Sequence, residues 1–448
     1  MVLERKIYKD LLLWKEEQGK VALLIEGARR VGKTTLVEEF GKKEYKSYIS
    51  IDFSVASDEM KSIFTQYASN LDDFFFFLTT LSGNELHYRD TLIIFDEVQL
   101  FPQARQLIKH LVKDNRYDYI ETGSLLSIKQ NVKDILIPSE ERAISMNPLD
   151  FEEFCIALGQ KSIIKVIKDH YEQLKPLGPL HSNIMKLFRQ YILVGGMPQA
   201  VLEFIHSKDY SKVDRIKRDI LRLYRNDITK YAKGYESKVL QIYDEIPAQL
   251  SKHEKKFKLS AISKNARLRE YEDAFMWLDD AMLVNICFNA EDPQVGLSLY
   301  KDRLTLKLYM IDTGLLISHA YDMTDEMHQE IAEKIVADKL EANHGMIFEN
   351  IVAQILQAKS KSLYFYSRID NNNSQNTMEI DFLIIDPNKF SKISPIEVKS
   401  GKRYSITSLV KFKRKFKSKI GQSYLLHTKD LVIKDNVYYL PVYMTICL

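Results

Sequence analysis

The order of apolar and polar positions predicts alternating strands and helices in the first third of the chain. Residues 21–25 form a short apolar run that ends before a glycine-rich stretch, and residues 34–40 then begin an amphipathic helix. Residues 91–95 are a second apolar run, too short for an independent helix, and residues 118–122 are a third. Because strands alternate with helices, residues 1–150 are predicted to form an α/β domain with a parallel, helix-covered sheet.

The pattern changes after residue 150. Residues 151–340 carry long stretches of helical period, and residues 259–289 within them predict a helix, a turn and a second helix. The segment KLYMIDTGLL follows as a strand with a turn, so this helical region is predicted to contain a winged helix. Residues 341–448 are predicted to form a third, α/β domain, in which the helix IFENIVAQIL precedes the strands LYFYSR, MEIDFLII and SPIEVKS.

Composition narrows the class of protein. At about 150 residues per domain, 448 residues allow two to four domains. The 16 glycines and 11 prolines are too few for a disordered or collagen-like chain. With 64 Lys and Arg against 61 Asp and Glu, the net charge of +3 neither requires nor excludes a polyanionic partner.

The cysteines and the apolar runs indicate in which cellular compartment the protein is expected. Cys155, Cys287 and Cys447 are far apart and form no CxxC pair, which argues against a disulfide framework or a structural zinc site. The first residues lack the apolar core of a signal peptide, and no run approaches the ~18–20 apolar residues of a membrane span. We therefore expect a soluble, cytoplasmic protein with no membrane partner.

A phosphate-binding motif stands between the first predicted strand and helix. GARRVGKT matches GxxxxGK[ST], in which two glycines permit a loop whose backbone N–H groups surround a β-phosphate. The lysine reaches the β and γ oxygens, and the final hydroxyl ligates Mg²⁺. ATP and Mg²⁺ are therefore the predicted cofactors. The predicted nucleotide-binding residues of this segment are Gly27, Ala28, Arg29, Arg30, Val31, Gly32, Lys33, Thr34 and Thr35.

The next two predicted strands end in polar residues that suit the same site. LIIFDE delivers Asp96, which would hold the water shell of the metal, and Glu97, which would polarise the attacking water. After the third strand, Thr122 or Ser124 could sense the γ-phosphate, although an ordinary turn is the alternative. Arg142 is a candidate arginine finger, acting within the chain or across a subunit boundary, with an ordinary surface arginine as the alternative.

A second set of charged residues lies near the end of the chain. Strand alternation in PIEVKSGK puts Glu397 and Lys399 on one face, and Asp381 lies in the preceding strand. With Glu349 of the amphipathic helix, these carboxylates could bind Mg²⁺ while Lys399 faces a scissile phosphate. We therefore predict Asp381, Glu397 and Lys399 as catalytic and Glu349, Asp381 and Glu397 as metal ligands. The alternative is that Lys399 simply pairs with Glu397.

Basic residues concentrate in two segments. Residues 399–419 contain nine Lys and Arg and no carboxylate, and a helix there would turn Leu409, Phe412 and Phe416 inward. Residues 252–270 form a second basic stretch in the predicted winged-helix region. DNA or RNA is thus a candidate partner through phosphate contacts, with ordinary solvated lysines as the alternative.

Together these motifs resemble a large bacterial and archaeal family of AAA-type ATPases that carry a C-terminal domain of unknown function. The resemblance covers nearly the whole chain, through GARRVGKTT, LIIFDEVQ, ETGSLL, NPLDFEEF, VGGMPQAV, KLYMIDTGLL, EIDFLI and PIEVKSGK. It implies an AAA+ core, a winged helix and a fold similar to restriction-endonuclease-like nucleases of the PD-(D/E)xK kind.

The resemblance also assigns residues to motifs. It puts Lys33 and Thr34 on the P-loop and Asp96 and Glu97 on the Walker B carboxylates. It puts Asp381, Glu397 and Lys399 on the nuclease-like triad, with Glu349 as the acid on the helix. Two positions depart from the family pattern: Ile380 replaces the proline before Asp381, and Glu121 precedes Thr122 where an apolar residue is expected.

Two functions follow from the sequence. The first is an ATP-hydrolysing protein whose nucleotide state controls the winged-helix and nuclease-like half, acting on nucleic acid. The second is an ATP-regulated signalling or defence switch, in which the nuclease-like domain cuts nothing and serves for interaction. The sequence leaves open whether the chain forms a homo-oligomer.

Overall fold

The computed structural model describes residues 2–123, 139–252, 256–262, 267–321, 325–337, 344–401 and 403–448. The chain divides into two compact units. The first comprises Met1–Asn147 and Asp280–Met282, and the second comprises Pro148–Asp279 and Leu283–Leu448.

The first unit contains a five-stranded sheet in the order β2-β3-β4-β1-β5, and every strand pair in it is parallel. Its strands are β1 (Ala22–Glu26), β2 (Ser47–Asp52), β3 (Thr91–Asp96), β4 (Asp118–Gly123) and β5 (Glu141–Ser145). Its helices are α1 (Tyr8–Glu16), α2 (Lys33–Glu44), α3 (Asp58–Gln66), α4 (Leu71–Ser82) and α5 (Pro102–Asp114). This arrangement confirms the predicted parallel α/β domain.

The two faces of this sheet have different roles. On one face Ile93, Phe95 and Tyr119 pack with apolar side chains of α3, α4 and α5 in a single buried core. Asp96 and Thr122 alternate to the opposite face, where α2 packs on β2, β3 and β4. The helix that follows the phosphate-binding loop therefore covers the face that carries the predicted catalytic side chains.

The second unit combines helices with an eight-stranded mixed sheet in the order β12-β13-β11-β10-β9-β8-β6-β7. Its helices are α6 (Phe151–Ala157), α7 (Lys161–Glu172), α8 (Pro179–Val194), α9 (Pro198–Ser207), α10 (Tyr210–Tyr231), α11 (Glu236–Ser251), α12 (Glu272–Asp280), α13 (Thr313–Ala320), α14 (Asp325–Val336), α15 (His344–Ala358) and α16 (Thr407–Lys415). Its strands are β6 (Val284–Ala290), β7 (Lys301–Met310), β8 (Leu363–Arg368), β9 (Met378–Ile385), β10 (Ile393–Val398), β11 (Ser423–His427), β12 (Val432–Lys434) and β13 (Val437–Pro441). The predicted helical region and mixed C-terminal sheet are therefore both present.

The hairpin of β6 and β7 differs from the prediction. The sequence predicted a second helix up to residue 289 and a strand in KLYMIDTGLL, together forming a winged helix. Instead, Val284–Ala290 form β6, which pairs with β8 in parallel, and β7 lies at the edge of the large sheet. The last five positions of β7 are all buried, so the strand packs like a core strand rather than an exposed wing. The boundary predicted at residue 340 thus separates strands that share one sheet, and a winged helix is not shown.

Three motifs of the family resemblance meet at one buried junction in this second unit. Leu149 of NPLD donates its backbone N–H to the carbonyl of Gly196 in VGGMPQ, at 2.7 Å. Gly196 in turn donates to the carboxylate of Asp312 in MIDTG, at 2.5 Å. A Cβ on Gly196 would lie 2.1 Å from the carbonyl oxygen of Leu149, so only glycine fits there. These motifs are therefore accounted for by close backbone packing.

No helix in the described part of the chain is long and apolar enough to cross a bilayer. The three cysteines are free, with Cys155 and Cys287 buried.

Candidate functional site

The phosphate-binding loop is shaped by its two glycines. Gly32 has φ 96° and caps α2, which begins at Lys33. This left-handed conformation favours glycine because a Cβ would clash with the backbone. A Cβ on Gly27 would lie 2.5 Å from the carbonyl oxygen of Met146, so the loop also needs glycine at its start. The motif therefore forms the tight loop before a helix N-terminus that its spacing predicted.

Lys33 points into this loop. Only 8% of the residue is exposed, and its Nζ donates to the carbonyls of Gly27 at 2.8 Å and Ala28 at 3.1 Å. Burial lowers the pKa of Lys33, while attraction to Glu97 and Asp96 acts in the opposite direction. The lysine is thus held by backbone carbonyls of the loop, and it lies near Asp96 at the end of β3 and Glu97 directly after it.

Asp96 joins three segments of the first unit. Its Oδ2 accepts a hydrogen bond of 2.8 Å from the hydroxyl of Thr34 in α2. Its Oδ1 accepts from the hydroxyl of Thr122 in β4 and from the backbone N–H of Glu97, the latter at 3.1 Å. The structure therefore brings together Thr34, Asp96 and Thr122, which the sequence placed on three separate elements.

Glu97 lies in a turn directly after β3. Its φ of 52° is in the left-handed region, which is uncommon for residues other than glycine and often found at functional sites. Its Oε2 accepts a hydrogen bond from the side-chain amide of Gln99. Gln99, which the sequence did not single out, therefore orients the carboxylate predicted to activate water.

The donor atoms at Asp96 suit Mg²⁺. A hydroxyl and a carboxylate are hard oxygen ligands, and Mg²⁺ in nucleotide sites usually adds phosphate oxygens and water to one or two protein ligands. Across the described ranges, no group of three or more His, Cys, Asp or Glu side chains is arranged to hold a metal ion. Thr34 and Asp96 therefore fit an ion that is completed by nucleotide and water.

In the second unit, the predicted nuclease-like residues line a cavity of 780 Å³. Glu349 comes from α15, Asp381 from β9 and Glu397 from β10, with Lys399 just beyond β10. Lys399 Nζ lies 2.6 Å from Glu397 Oε1, so the pairing that the sequence left as an alternative is observed. Burial raises the pKa of Glu397, and repulsion from Asp381 adds to the effect.

Lys307 of β7 also enters this cluster, and the sequence did not suggest it. The side chain is fully buried, and its Nζ lies 2.7 Å from Glu379, 3.8 Å from Asp381 and 3.9 Å from Glu349. Burial alone would lower the pKa of Lys307, but attraction to the three carboxylates outweighs it and raises the pKa. The only hint in the sequence was one lysine inside the apolar run LTLKLYM.

The assignment of Glu349, Asp381 and Glu397 as metal ligands stays a prediction, and the position of Lys307 bears on it. The described side chains give no metal-binding group of three or more His, Cys, Asp or Glu. An ammonium group lies close to two of the predicted ligands instead, and a positive charge there opposes the binding of a second cation.

The basic helix α16 has the predicted orientation, with Leu409 and Phe412 buried and Phe416 half-buried. Several cations of the 399–419 segment contact neighbouring parts of the same unit. Lys411 donates to the carbonyl of Ser374 at 2.6 Å, and Lys419 forms an ion pair with Asp292. Lys402 and parts of the 252–270 stretch lie outside the described residues.

Comparison with known families agrees with the geometry of the first unit. Residues 19–155 match the family model of an AAA domain. This segment is therefore similar to the AAA domains of P-loop ATPases. Residues 185–326 match a domain of unknown function, DUF8612, and residues 344–444 match another, DUF4143.

The chain also matches solved structures at low sequence identity. The Walker-type ATPase Paby2304 of Pyrococcus abyssi has a TM-score of 0.42 at 15% identity, covering 71% of this chain and 96% of that one. The ORC1 protein of Aeropyrum pernix in complex with DNA has a TM-score of 0.30 at 11% identity, with coverages of 76% and 95%.

AMPPCP-bound DnaA from Aquifex aeolicus has a TM-score of 0.30 at 14% identity, covering 62% of this chain and 87% of that one. The comparison with curated proteins finds no match. The similarity of residues 19–155 to an AAA domain therefore depends on the family model, and the geometry at Lys33 and Asp96 agrees with it.

The other predicted residues of the AAA domain have distinct positions. Ser124 lies outside the described residues. Arg142 forms a bidentate ion pair with Glu17, with both N–O distances at 2.8 Å, and nearly half of its side chain is exposed. Arg5, which lies in none of the motifs, donates a hydrogen bond of 2.9 Å to the carbonyl of Val31. This bond connects the N-terminal segment to the phosphate-binding loop.

Glu121 of the AAA domain is fully buried on the face opposite Asp96. Its carboxyl group lies close to the carboxylate of Glu141. Burial, together with repulsion from Glu141, raises the pKa of Glu121 well above its usual range. Arg105 of α5 pairs with Glu141 through contacts of 2.7 and 2.8 Å, so the departure from the family pattern at Glu121 lies beside a buried ion pair.

Proposed function

We propose that the AAA domain of this chain binds and hydrolyses ATP with Mg²⁺, and that its nucleotide state controls the C-terminal half. The observation that carries this proposal is the contact of both Thr34 and Thr122 with the carboxylate of Asp96. A nucleotide site needs its metal-binding hydroxyl and acid side by side, below a loop that presents backbone N–H groups to phosphate.

Each residue of the site has a role in this proposal. The N–H groups of the loop and Lys33 Nζ bind the β and γ oxygens, and Thr34 and Asp96 hold Mg²⁺. The ion, when bound, would neutralise charge on the phosphate oxygens. Glu97 accepts the proton of the attacking water, and Thr122 keeps Asp96 oriented. Gly27, Ala28, Arg29, Arg30, Val31, Gly32 and Thr35 complete the predicted nucleotide contacts.

Two variants test the ATPase proposal. Lys33→Ala should abolish ATP binding in calorimetry, because it removes the cation for the β and γ phosphates. Glu97→Gln should still bind ATP but lose about 10²–10⁴-fold in turnover, the usual contribution of a general base. Normal turnover in Glu97→Gln would remove Glu97 from this role, and a folded wild type without ATP affinity would refute the proposal as a whole.

For the C-terminal half we propose binding of a nucleic-acid backbone, DNA or RNA, at the 780 Å³ cavity. Basic side chains that line this cavity, including Lys252, Arg368, Lys399 and Arg403, support the proposal because phosphate contacts dominate such binding. Arg368→Ala with Arg403→Ala should weaken binding of a duplex and reduce its salt dependence. Unchanged affinity and an unchanged salt slope would contradict it.

The second candidate, an interaction domain that does not cut, is favoured by the ammonium of Lys307 among the carboxylates. Incubation of DNA or RNA with the wild type and Mg²⁺ separates the two candidates. Cleavage that disappears in Asp381→Ala and Lys399→Ala would establish a nuclease. No cleavage in any nucleotide state would leave the interaction domain.

A further inference from the structure

Lys307 lies in surroundings that are unusual for a lysine. It lies between Leu306 and Leu308 in the buried half of β7, and none of its side chain is exposed. An isolated ammonium in such a place would lose several kcal/mol of hydration free energy, so lysines are rarely buried unless paired. The carboxylates of Glu349, Glu379 and Asp381 supply that pairing.

These three carboxylates come from two different elements and converge on one atom. Glu379 and Asp381 are alternate residues of β9, and Glu349 reaches the same place from α15. Carboxylates that converge in this way are the ligands that Mg²⁺ and Mn²⁺ use in proteins. The Nζ atom therefore has the surroundings that a divalent cation would need.

Glu397 provides a separate indication, because one of its carboxylate oxygens could bind a cation. Its Oε1 pairs with Lys399, but its Oε2 is buried and has no hydrogen-bond partner in the part of the chain that the structure describes. Only 5% of the residue is exposed, and it lines the same cavity as Glu349 and Asp381. A buried carboxylate oxygen without a donor costs free energy that a cation in the cavity would recover.

We propose that Lys307 Nζ takes the place of a divalent cation among Glu349, Glu379 and Asp381, and that removal of this side chain creates a Mg²⁺ or Mn²⁺ site. In the native protein, the ammonium group of Lys307 then neutralises the carboxylates of this C-terminal cavity. The cavity keeps its basic rim for phosphate but has no metal to polarise a phosphoryl oxygen or to generate hydroxide. This inference does not depend on ATP hydrolysis by the AAA domain.

The test is a Mn²⁺ titration of the full chain without nucleotide, with free Mn²⁺ followed by electron paramagnetic resonance. All proteins carry Asp96→Asn, which removes the metal-binding acid of the AAA domain. The chain with native Lys307 should bind no Mn²⁺, and Lys307→Ala should bind one ion per chain. Its melting temperature should also rise with Mn²⁺, because a ligand that binds only the folded state stabilises it.

Lys217 offers a matched control. It is also a buried lysine of the second unit, but its Nζ donates to the carbonyls of Leu193 at 2.7 Å and Gly314 at 3.2 Å. Lys217→Ala should lower the melting temperature in the same way as Lys307→Ala, yet Mn²⁺ should not restore it. A rise with Mn²⁺ in both variants would show a nonspecific effect and overturn the inference.

Two further results would overturn it. One is Mn²⁺ binding by the chain with native Lys307 that disappears in Asp381→Asn. The other is a folded Lys307→Ala variant that binds no Mn²⁺. If Lys307→Ala does not fold, Lys307→Ala with Glu379→Gln removes one charge of each sign and should still bind Mn²⁺ through Glu349, Asp381 and Glu397. Failure of that double variant to bind Mn²⁺ would also refute the proposal.

Discussion

The hydroxyl of Thr34 donates a hydrogen bond of 2.8 Å to Oδ2 of Asp96, which lies 62 positions later in the chain. The bond joins the first turn of α2 to the carboxyl end of β3. It therefore fixes the phosphate-binding loop relative to the strand that carries the acids, before any nucleotide contact is made. The arrangement is preorganised, which is how positioned charges contribute most to catalysis.

We expect Thr34→Ala to reduce Mg²⁺-dependent turnover by about 10²-fold or more, because it removes the proposed metal ligand and one partner of Asp96. The Mg²⁺ concentration for half-maximal turnover should rise. Steady-state hydrolysis over a Mg²⁺ series measures both effects. Thr65→Ala, at an exposed position of α3, serves as the control and should change neither. An unchanged Mg²⁺ dependence in Thr34→Ala would remove the hydroxyl from the metal site.

The convergence of the phosphate-binding loop with Asp96 could be predicted from the sequence because both lie in short contiguous motifs. The loop of residues 27–34 and the pair Asp96 and Glu97 each carry their spacing in one segment, and the parallel sheet then brings the segments together. Thr122 could also be predicted, since it lies near the end of β4, the strand next to β3. Ser124 and Thr122 could not be distinguished by sequence, because both follow the same apolar run.

The C-terminal cluster could be predicted only in part. Glu349, Asp381 and Glu397 come from recognisable helix and strand patterns, but Lys307 and Glu379 reach them through the order of the eight-stranded sheet. That order places β7 beside β6 and β6 beside β8, a long-range pairing that no local pattern gives. The acidic residue Glu121 within an apolar strand could not be understood from the sequence. It lies beside the ion pair between Arg105 of α5 and Glu141.

Arg142 provides a test of the arginine-finger hypothesis. Its ion pair with Glu17 is largely exposed, and such pairs contribute little to stability because water and salt screen them. Glu17→Gln should therefore leave both the melting temperature and ATP turnover nearly unchanged. If Arg142 completes the site of a neighbouring copy, Arg142→Ala should lower turnover by about 10³-fold or more without loss of ATP binding.

The same measurement shows whether the arginine acts between copies. Mixing Arg142→Ala with Glu97→Gln should restore activity, because one copy supplies the arginine and the other supplies the intact Glu97. Turnover in Arg142→Ala that equals the wild type at every protein concentration would exclude the finger role.

Glu121 should make the AAA domain less stable as the pH rises. Its pKa is raised in the folded state, so its contribution is most favourable below about pH 4.5 and is lost progressively as the pH rises toward the folded-state pKa. Glu121→Gln keeps the shape and removes the titration. We expect it to raise the free energy of unfolding by about 1–3 kcal/mol near pH 8, with a smaller gain near pH 5.

Glu141→Gln is the matched comparison for this experiment. It removes a carboxylate on the same face but leaves the buried guanidinium of Arg105 without its charged partner. Breaking a buried pair in this way costs about 3–5 kcal/mol, so the two glutamate variants should change stability in opposite directions. Urea unfolding at several pH values measures both. Equal destabilisation by the two variants would contradict the assignment of Glu121 as an unfavourable buried acid.

His427 should give the second unit the opposite dependence on pH. The side chain is buried, and its Nδ1 lies 3.0 Å from the hydroxyl of Tyr404. Burial lowers the pKa of His427 to about 4. Its contribution to stability is therefore complete above the unfolded-state pKa of about 6.5 and is lost as the pH falls from there toward about 4.

For the wild type, this linkage predicts a loss of about 2 kcal/mol of unfolding free energy between about pH 7.5 and about pH 5. His427→Gln cannot take up a proton, so the pH dependence of the second unit should decrease by that amount even if the variant is less stable overall. The comparison uses the slope with pH rather than the absolute stability, which separates titration from lost packing. His110→Gln, in α5 of the other unit, serves as the control and should leave the slope of the second unit unchanged. Equal slopes in the wild type and His427→Gln would show that His427 does not titrate differently on folding.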